Sequence, residues 1–183
     1  MKITRLEIPG AAVVNTATFL DQRGSFARLY CEHELREVLG PRKVVQINTS
    51  LTKTVGAVRG LHFQHPPKAE MKFVRCIRGL VWDVLVDLRS DSPTFKRWHA
   101  EELSPENSKL MVIPEGCAHG FQVLYPNSEM LYLHTEFYIP DLCGRIRFDD
   151  PQFGIKWPLP ATELSEADKN EPRLSSDYKG LSL

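Results

Sequence analysis

Long apolar runs are missing from this 183-residue chain. No segment approaches the roughly 20 apolar residues of a membrane span, and the opening MKITRLEIPGAAVV lacks the apolar stretch of a secretory leader. An excess of either charge is missing too. Lys plus Arg equals Asp plus Glu, 23 against 23, so no overall field draws the chain to nucleic acid or to an anionic membrane. A zero sum still allows a local basic pocket. Cysteine is sparse: Cys31, Cys76, Cys117 and Cys143 stand far apart, without a Cys-x-x-Cys pair. That spacing gives no zinc site, and reduced thiols in the cytoplasm are expected. Histidine never occurs as His-x-His. No internal repeat or low-complexity linker divides the chain, so one domain over residues 1–183 is expected, with a tail from about 172.

What is present is a series of short apolar runs bounded by Pro, Gly and Asn. Strands are predicted over 44–51, 72–78 and 80–88, and again over 109–114, 120–124 and 130–138. With only Gly79 between its two runs, the segment 72–88 reads as a hairpin. Helical signals are few. Residues 31–39 place Leu35, Val38 and Leu39 on one face, with Gly40-Pro41 as a stop. Ser165 ahead of Glu166-Ala167-Asp168 is an N-cap for a short helix near the end. The predicted class is all-β, a jelly-roll barrel with a few short flanking helices. The mouth of such a barrel is a natural small-molecule pocket.

Four side chains stand out. In Arg59-Gly60-Leu61-His62-Phe63-Gln64, strand alternation puts His62 on one face with Gly60 and Gln64, a polar set that suits a lined cavity. His119 lies in the Gly-flanked segment Gly116–Gly120, read as a turn after Ile113-Pro114. Lys72 opens the strand after the loop Gln64-His65-Pro66-Pro67, and Tyr132 is mid-strand in Met130–His134. Singly, these read as a hydrogen-bonded strand histidine, a turn histidine, a solvated lysine and a core-edge tyrosine. Together they make a His, Lys, Tyr and Arg set spread over several strands of one barrel. Metal ligation is not expected. His62-x-x-His65 sends its rings to opposite faces of a strand, and Glu70 is separated from both by a proline turn.

Several longer motifs follow one another in order. They are Asp21-x-Arg23-Gly24-x-Phe26, Gln46-x-Asn48-x-Ser50, RGLHFQ, and the PPKAE-x-K segment ending at Lys72. Then come Val86-Asp87-Leu88-Arg89 with Ser92-Pro93-Thr94-Phe95, Ile113-Pro114-Glu115-Gly116-x-Ala118-His119-Gly120-Phe121, and Asp149-Asp150-Pro151 with Gly154-Ile155-x-Trp157-Pro158. From about residue 3 to about 170 the chain resembles the dTDP-4-dehydrorhamnose 3,5-epimerase family.

The resemblance implies a cupin-like jelly roll that works as a homodimer, without cofactor or metal, on a nucleotide-linked 4-keto-6-deoxy sugar. It implies His62 as the base, Asp168 as the carboxylate holding its tautomer, Lys72 as the stabiliser of an enolate, and Tyr132 as the proton donor. Imidazole titrates near neutral pH, which suits a base, and a lysine beside a developing oxyanion stabilises it electrostatically. Arg59 and the basic turn near His119 would take the pyrophosphate. Arg23, Phe26 and Arg28 would reach the nucleotide from an N-terminal segment swapped between subunits, with Gln46 and Asn48 beside them.

Three positions depart from the family pattern. Arg28 stands where a glutamate is usual, Cys143 replaces the glutamate after the Tyr-x-Pro turn, and Ala167 replaces a lysine before Asp168. These leave open a single-carbon epimerase on another nucleotide sugar, such as a cytidine diphosphate sugar. A non-catalytic sugar-binding jelly roll is the alternative of a different class. Retention of both a base and an acid argues against mere binding.

Overall fold

A computed structural model describes all residues 1–183. Thirteen strands, numbered along the chain, form two large antiparallel sheets and one small one. The six-stranded sheet runs in space β1 (Lys2–Arg5), β2 (Ala12–Asn15), β10 (Lys109–Ile113), β7 (Lys72–Arg78), β12 (Ser128–His134), β5 (Gln46–Thr52). The five-stranded sheet runs β13 (Cys143–Arg145), β6 (Val58–Gln64), β11 (Cys117–Val123), β8 (Val81–Asp87), β9 (Trp98–Leu103). β3 (Thr18–Asp21) and β4 (Gly24–Ala27) pair only with each other. The all-β jelly roll with short flanking helices is the architecture observed.

The expected hairpin over 72–88 does not form. β7 pairs with β10 and β12, whereas β8 pairs with β11 and β9 in the other sheet. Gly79 turns this corner at φ 81°, where a Cβ would run into Ser128. The Ser128 hydroxyl fixes the corner, accepting from Leu80 N at 3.1 Å. The sequence misled because both strands are buried on both faces; two apolar runs joined by glycine look alike whether the chain folds back or crosses the sandwich.

Alternation divides the apolar side chains among three clusters. Val74, Cys76, Met111 and Met130 of the six-stranded sheet meet Leu85, Phe121 and Val123 of the five-stranded one in the interior. Phe73, Val112 and Leu133 face outward and are covered by α1 (Glu32–Leu39). That helix buries Leu35, Val38 and Leu39, as its periodicity predicts, and ends at Gly40. Leu61, Phe63, Val84 and Val86 form the third cluster on the far side, with Ile146, Phe153 and Leu181. Residues beyond 172 therefore pack on the sheet: Leu181 N donates to Leu88 O at 2.7 Å, and Leu181 O accepts from Ser90 N at 2.9 Å.

Some strand limits shift. β11 begins at Cys117 rather than Gly120, so His119 is inside a strand and not in a turn. β12 stops at His134 instead of running to Tyr138, and β5 starts at Gln46. β1, β2, β3, β4, β9 and β13 are too short or too polar to have been marked by apolar periodicity. No helix is long and apolar enough to cross a membrane. The β3–β4 hairpin leaves Phe19, Leu20 and Phe26 65%, 80% and 67% exposed.

Candidate active site

A cavity of about 640 Å³ opens between the two sheets, and each sheet supplies one wall. From the five-stranded sheet come Arg59, His62, His119 and Arg145. The six-stranded sheet contributes Asn48, Ser50, Lys72, Tyr132 and His134. The short helix α2 (Glu166–Asn170) closes one side with Asp168.

His62 and Arg59 share the cavity although they are three residues apart, which regular alternation forbids. The register explains it. His119 pairs with His62 while Phe121 pairs with Arg59, so β6 carries one residue more than β11 between these rungs. Such a bulge resets which side chains face inward. Gly60, expected beside His62, is instead a point of backbone contact. A Cβ there would lie 2.6 Å from Gly120 Cα and 2.8 Å from His119 O, and its φ of 124° is unfavourable to any side chain. Gln64 is buried away from the cavity, donating to Lys68 O at 2.6 Å and accepting from Ile139 N at 3.0 Å.

His62 Nε2 lies 2.6 Å from Asp168 Oδ1. With the carboxylate accepting, the neutral ring keeps its proton on Nε2 and a free lone pair on Nδ1. Asp168 is held in turn by its place on α2, where its own N–H donates to the Ser165 hydroxyl at 3.1 Å as the N-cap pattern predicts. Burial would raise its pKa, but the hydrogen bond and charge of His62 outweigh that and hold it below the usual carboxylate value. Arg145 Nε, 3.6 Å from Asp168 Oδ1, adds a second cation.

On the facing wall, the Tyr132 phenol is 2.8 Å from Ser50 Oγ. Burial pushes the phenol up to about 12, with the Ser50 hydrogen bond acting in the opposite sense. Tyr132 thus stays protonated, as a proton donor must be. Lys72 is buried, its Nζ 3.0 Å from Glu70 Oε1 and 3.5 Å from the His62 carbonyl. Glu70 also accepts from His134 Nδ1 at 2.7 Å. Burial would raise Glu70, yet His134 and Lys72 bring it below its ordinary value. Glu70, which the sequence sets apart from the histidines by a proline turn, is therefore part of the cavity lining. His65 packs edge-on against Phe63, ring centroids 4.8 Å apart, and does not converge with His62.

The expected turn at His119 is corrected: its ring is buried in β11, with Nε2 2.7 Å from Asp83 Oδ2, and it still lines the cavity. Asp83 is fully buried on β8, and its other oxygen has no partner. Burial pushes that carboxyl upward against the pull of His119.

Among the other expected binding residues, Arg59 lines the cavity and donates from Nε to Thr52 Oγ1 at 2.8 Å. Asn48 lines it too, 3.3 Å from His134 Nε2. Gln46 stands outside, its side chain accepting from Tyr138 N at 3.2 Å. Arg23, Phe26 and Arg28 are not brought to this chain's own cavity. Arg23 pairs with Asp21 at 2.6 Å, Phe26 is exposed, and Arg28 pairs with Glu34. Cys143 lines the rim and donates weakly to Ile139 O at 3.5 Å.

The sequence reading passed over Asp83, Glu70, His134, Ser50 and Arg145 as separate side chains of the site. Ser50 and Glu70 carried a signal, as members of Gln46-x-Asn48-x-Ser50 and of the PPKAE-x-K segment. The others gain meaning only from partners distant in the chain, Asp83 from His119, His134 from Glu70 and Arg145 from Asp168. Chemically, the cavity offers a carboxylate-backed imidazole on one wall, a protonated phenol on the other, and a buried ammonium.

Comparison with known proteins points the same way. The model of the dTDP-4-dehydrorhamnose 3,5-epimerase family matches residues 5–176. A dTDP-4-dehydrorhamnose 3,5-epimerase of Salmonella typhimurium is 42% identical over 177 residues, 95% of this chain and 96% of the relative. The crystal structure of a Bacillus anthracis dTDP-4-dehydrorhamnose 3,5-epimerase with TDP and pyrophosphate bound superposes with a TM-score of 0.91. It is 36% identical and covers 94% of this chain and 99% of its own. A Legionella pneumophila dTDP-6-deoxy-D-glucose-3,5-epimerase in complex with dTDP-4-keto-L-rhamnose gives a TM-score of 0.87 at 36% identity, covering 92% and 89%.

Proposed function

This chain belongs to the dTDP-4-dehydrorhamnose 3,5-epimerase family of isomerases, and we propose that it inverts C3 and C5 of dTDP-4-dehydro-6-deoxy-D-glucose to give dTDP-4-dehydro-L-rhamnose. The observation that carries this reading is the opposition of His62 and Tyr132 across the cavity, one on each sheet. Inverting a carbon requires proton removal on one face and proton return on the other, and two facing walls supply that.

The C4 ketone acidifies the hydrogens on C3 and C5. His62 takes one through Nδ1, with Asp168 stabilising the imidazolium that forms. Lys72 stabilises the negative charge arriving on the C4 oxygen. The Tyr132 hydroxyl then gives a proton to the carbon from the opposite face. This chemistry asks for no cofactor or metal.

Arg59 holds the pyrophosphate, and Asn48 and Gln46 lie toward the nucleotide. Arg23 and Phe26 act on the cavity of a second copy in a homodimer. The apolar side chains left exposed on the β3–β4 hairpin support that exchange. Pairing of Arg28 with Glu34 in its own chain favours the thymidine nucleotide over a cytidine one, since it leaves the guanidinium no free role at the base. The enzyme acts in the cytoplasm, with its four cysteines reduced.

Incubation with dTDP-4-dehydro-6-deoxy-D-glucose in deuterated water, followed by NMR, tests the proposal. Deuterium at C3 and C5 of an L-configured product is expected. Exchange at one carbon only would make this a single-carbon epimerase. Untouched C–H bonds with tight binding would make it a binding protein.

A further inference from the structure

Two inversions per substrate raise a question of protons. Each leaves one extra proton on His62 and removes one from Tyr132, so both groups must be reset between the first carbon and the second. His62 is 43% exposed at its side chain and can release its proton to cavity water. Tyr132 is half-buried in the cavity wall, and the group hydrogen-bonded to its phenol is the first place to seek its proton supply.

The neighbouring rings are not that group. His119 and His134 both lie with centroids 6.1 Å from the Tyr132 ring. Neither ring hydrogen-bonds the phenol: His119 Nε2 is engaged with Asp83, and His134 Nδ1 with Glu70 and Nε2 with Asn48. The hydrogen-bond partner of the phenol is Ser50 Oγ, at 2.8 Å, and either oxygen of that pair can donate. Ser50 sits on β5, the edge strand of its sheet, half-buried and lining the cavity. It touches the phenol and also lines the open cavity.

We infer that Ser50 is the reprotonation relay of Tyr132, a positioning residue that resets the acid between the two inversions. The inference rests on Tyr132 being the proton donor. In the step, the phenolate takes the Ser50 hydroxyl proton as Ser50 takes one from cavity water. The hydroxide left behind is neutralised by the proton that imidazolium His62 returns to solvent. No bond to carbon changes, and the active site is restored with net charge conserved. A hydroxyl, donor and acceptor at once, is the smallest group that can do this.

The test is rapid-quench kinetics on Ser50→Ala and Ser50→Thr with dTDP-4-dehydro-6-deoxy-D-glucose. With enzyme in excess, Ser50→Ala should perform its first inversion within about twofold of the wild-type rate, because Tyr132 is already protonated. Under turnover it should give a burst of one inverted carbon per site, then a phase slower by about tenfold or more, with the singly inverted sugar accumulating. Ser50→Thr keeps the hydroxyl and should remove both the burst and the accumulation. Linear progress by Ser50→Ala at the wild-type rate would overturn the inference. So would equal slowing of the first inversion and of turnover, since that means Ser50 only orients the phenol. Tyr132→Phe in the same assay tests the underlying reading separately: if it forms product normally, the acid is not Tyr132, whatever Ser50 does.

Discussion

The two walls of the cavity hold their proton-transfer groups by opposite means. On the five-stranded side, His62 is backed by a buried carboxylate whose charge is itself held by the imidazole and by Arg145. Across from it, Tyr132 is backed by a neutral hydroxyl in a setting that pushes the phenol up to about 12. A carboxylate partner fixes the tautomer and the orientation of the imidazole. Burial disfavours the phenolate and outweighs the opposing Ser50 hydrogen bond, so the phenol keeps its proton. The contrast teaches that, on the proposed mechanism, surroundings would decide which group is acid and which base, and that the walls should fail in different ways.

Removing the base should do most damage. His62→Ala is expected to lower epimerisation by about 10²–10⁴ and to abolish deuterium incorporation, with the fold intact by circular dichroism. Wild-type exchange in this variant would erase the distinction between the walls. Tyr132→Phe should instead leave exchange running while inversion fails, because His62 can return the proton to the face it came from. Proton NMR in deuterated water separates the two outcomes; inversion at the normal rate would assign the acid to water.

Asp168→Asn weakens the base wall without removing it. Losing a hydrogen bond to a charged partner should cost about 10- to 150-fold in kcat, corresponding to about 1.5–3 kcal/mol. The same pair predicts a pH effect on stability. The folded pKa of Asp168 lies below the ordinary carboxylate value of 3.8, so the pair contributes stability above about pH 4 and loses it as pH falls through the lower folded pKa. Acid titrations of Tm should therefore be shallower below pH 4 in the Asn variant, and an unchanged slope would show that the pair adds nothing to the fold.

The smallest effect is expected outside both walls. Arg28 is exposed and paired with Glu34. Arg28→Glu should change the affinity for thymidine diphosphate less than about tenfold, in keeping with the weakness of surface ion pairs. Calorimetric titration with thymidine and cytidine diphosphates checks it. A variant that reverses the preference between them would bring Arg28 to the base of the nucleotide after all.

Much of this was legible in the sequence because it is local. Leu35, Val38 and Leu39 recur at helical spacing, and Ser165 caps the turn that carries Asp168; both depend on neighbours within a few residues. The ordered motifs around His62 and Lys72 marked the candidate site for the same reason. The sequence by itself determined the all-β class, the two short helices and the residue types able to move a proton. Tertiary structure alone decided that β7 and β8 part company at Gly79, and that one extra residue in β6 turns Arg59 rather than Gly60 toward His62. It also decided that His119 is buried against Asp83 and that Ser50 meets Tyr132. Strand alternation has a period of two whichever sheet receives the strand, so it fixes which side chains share a face and leaves open what that face will meet. The partner is chosen by pairing across dozens of residues, and only the closed sandwich makes that choice.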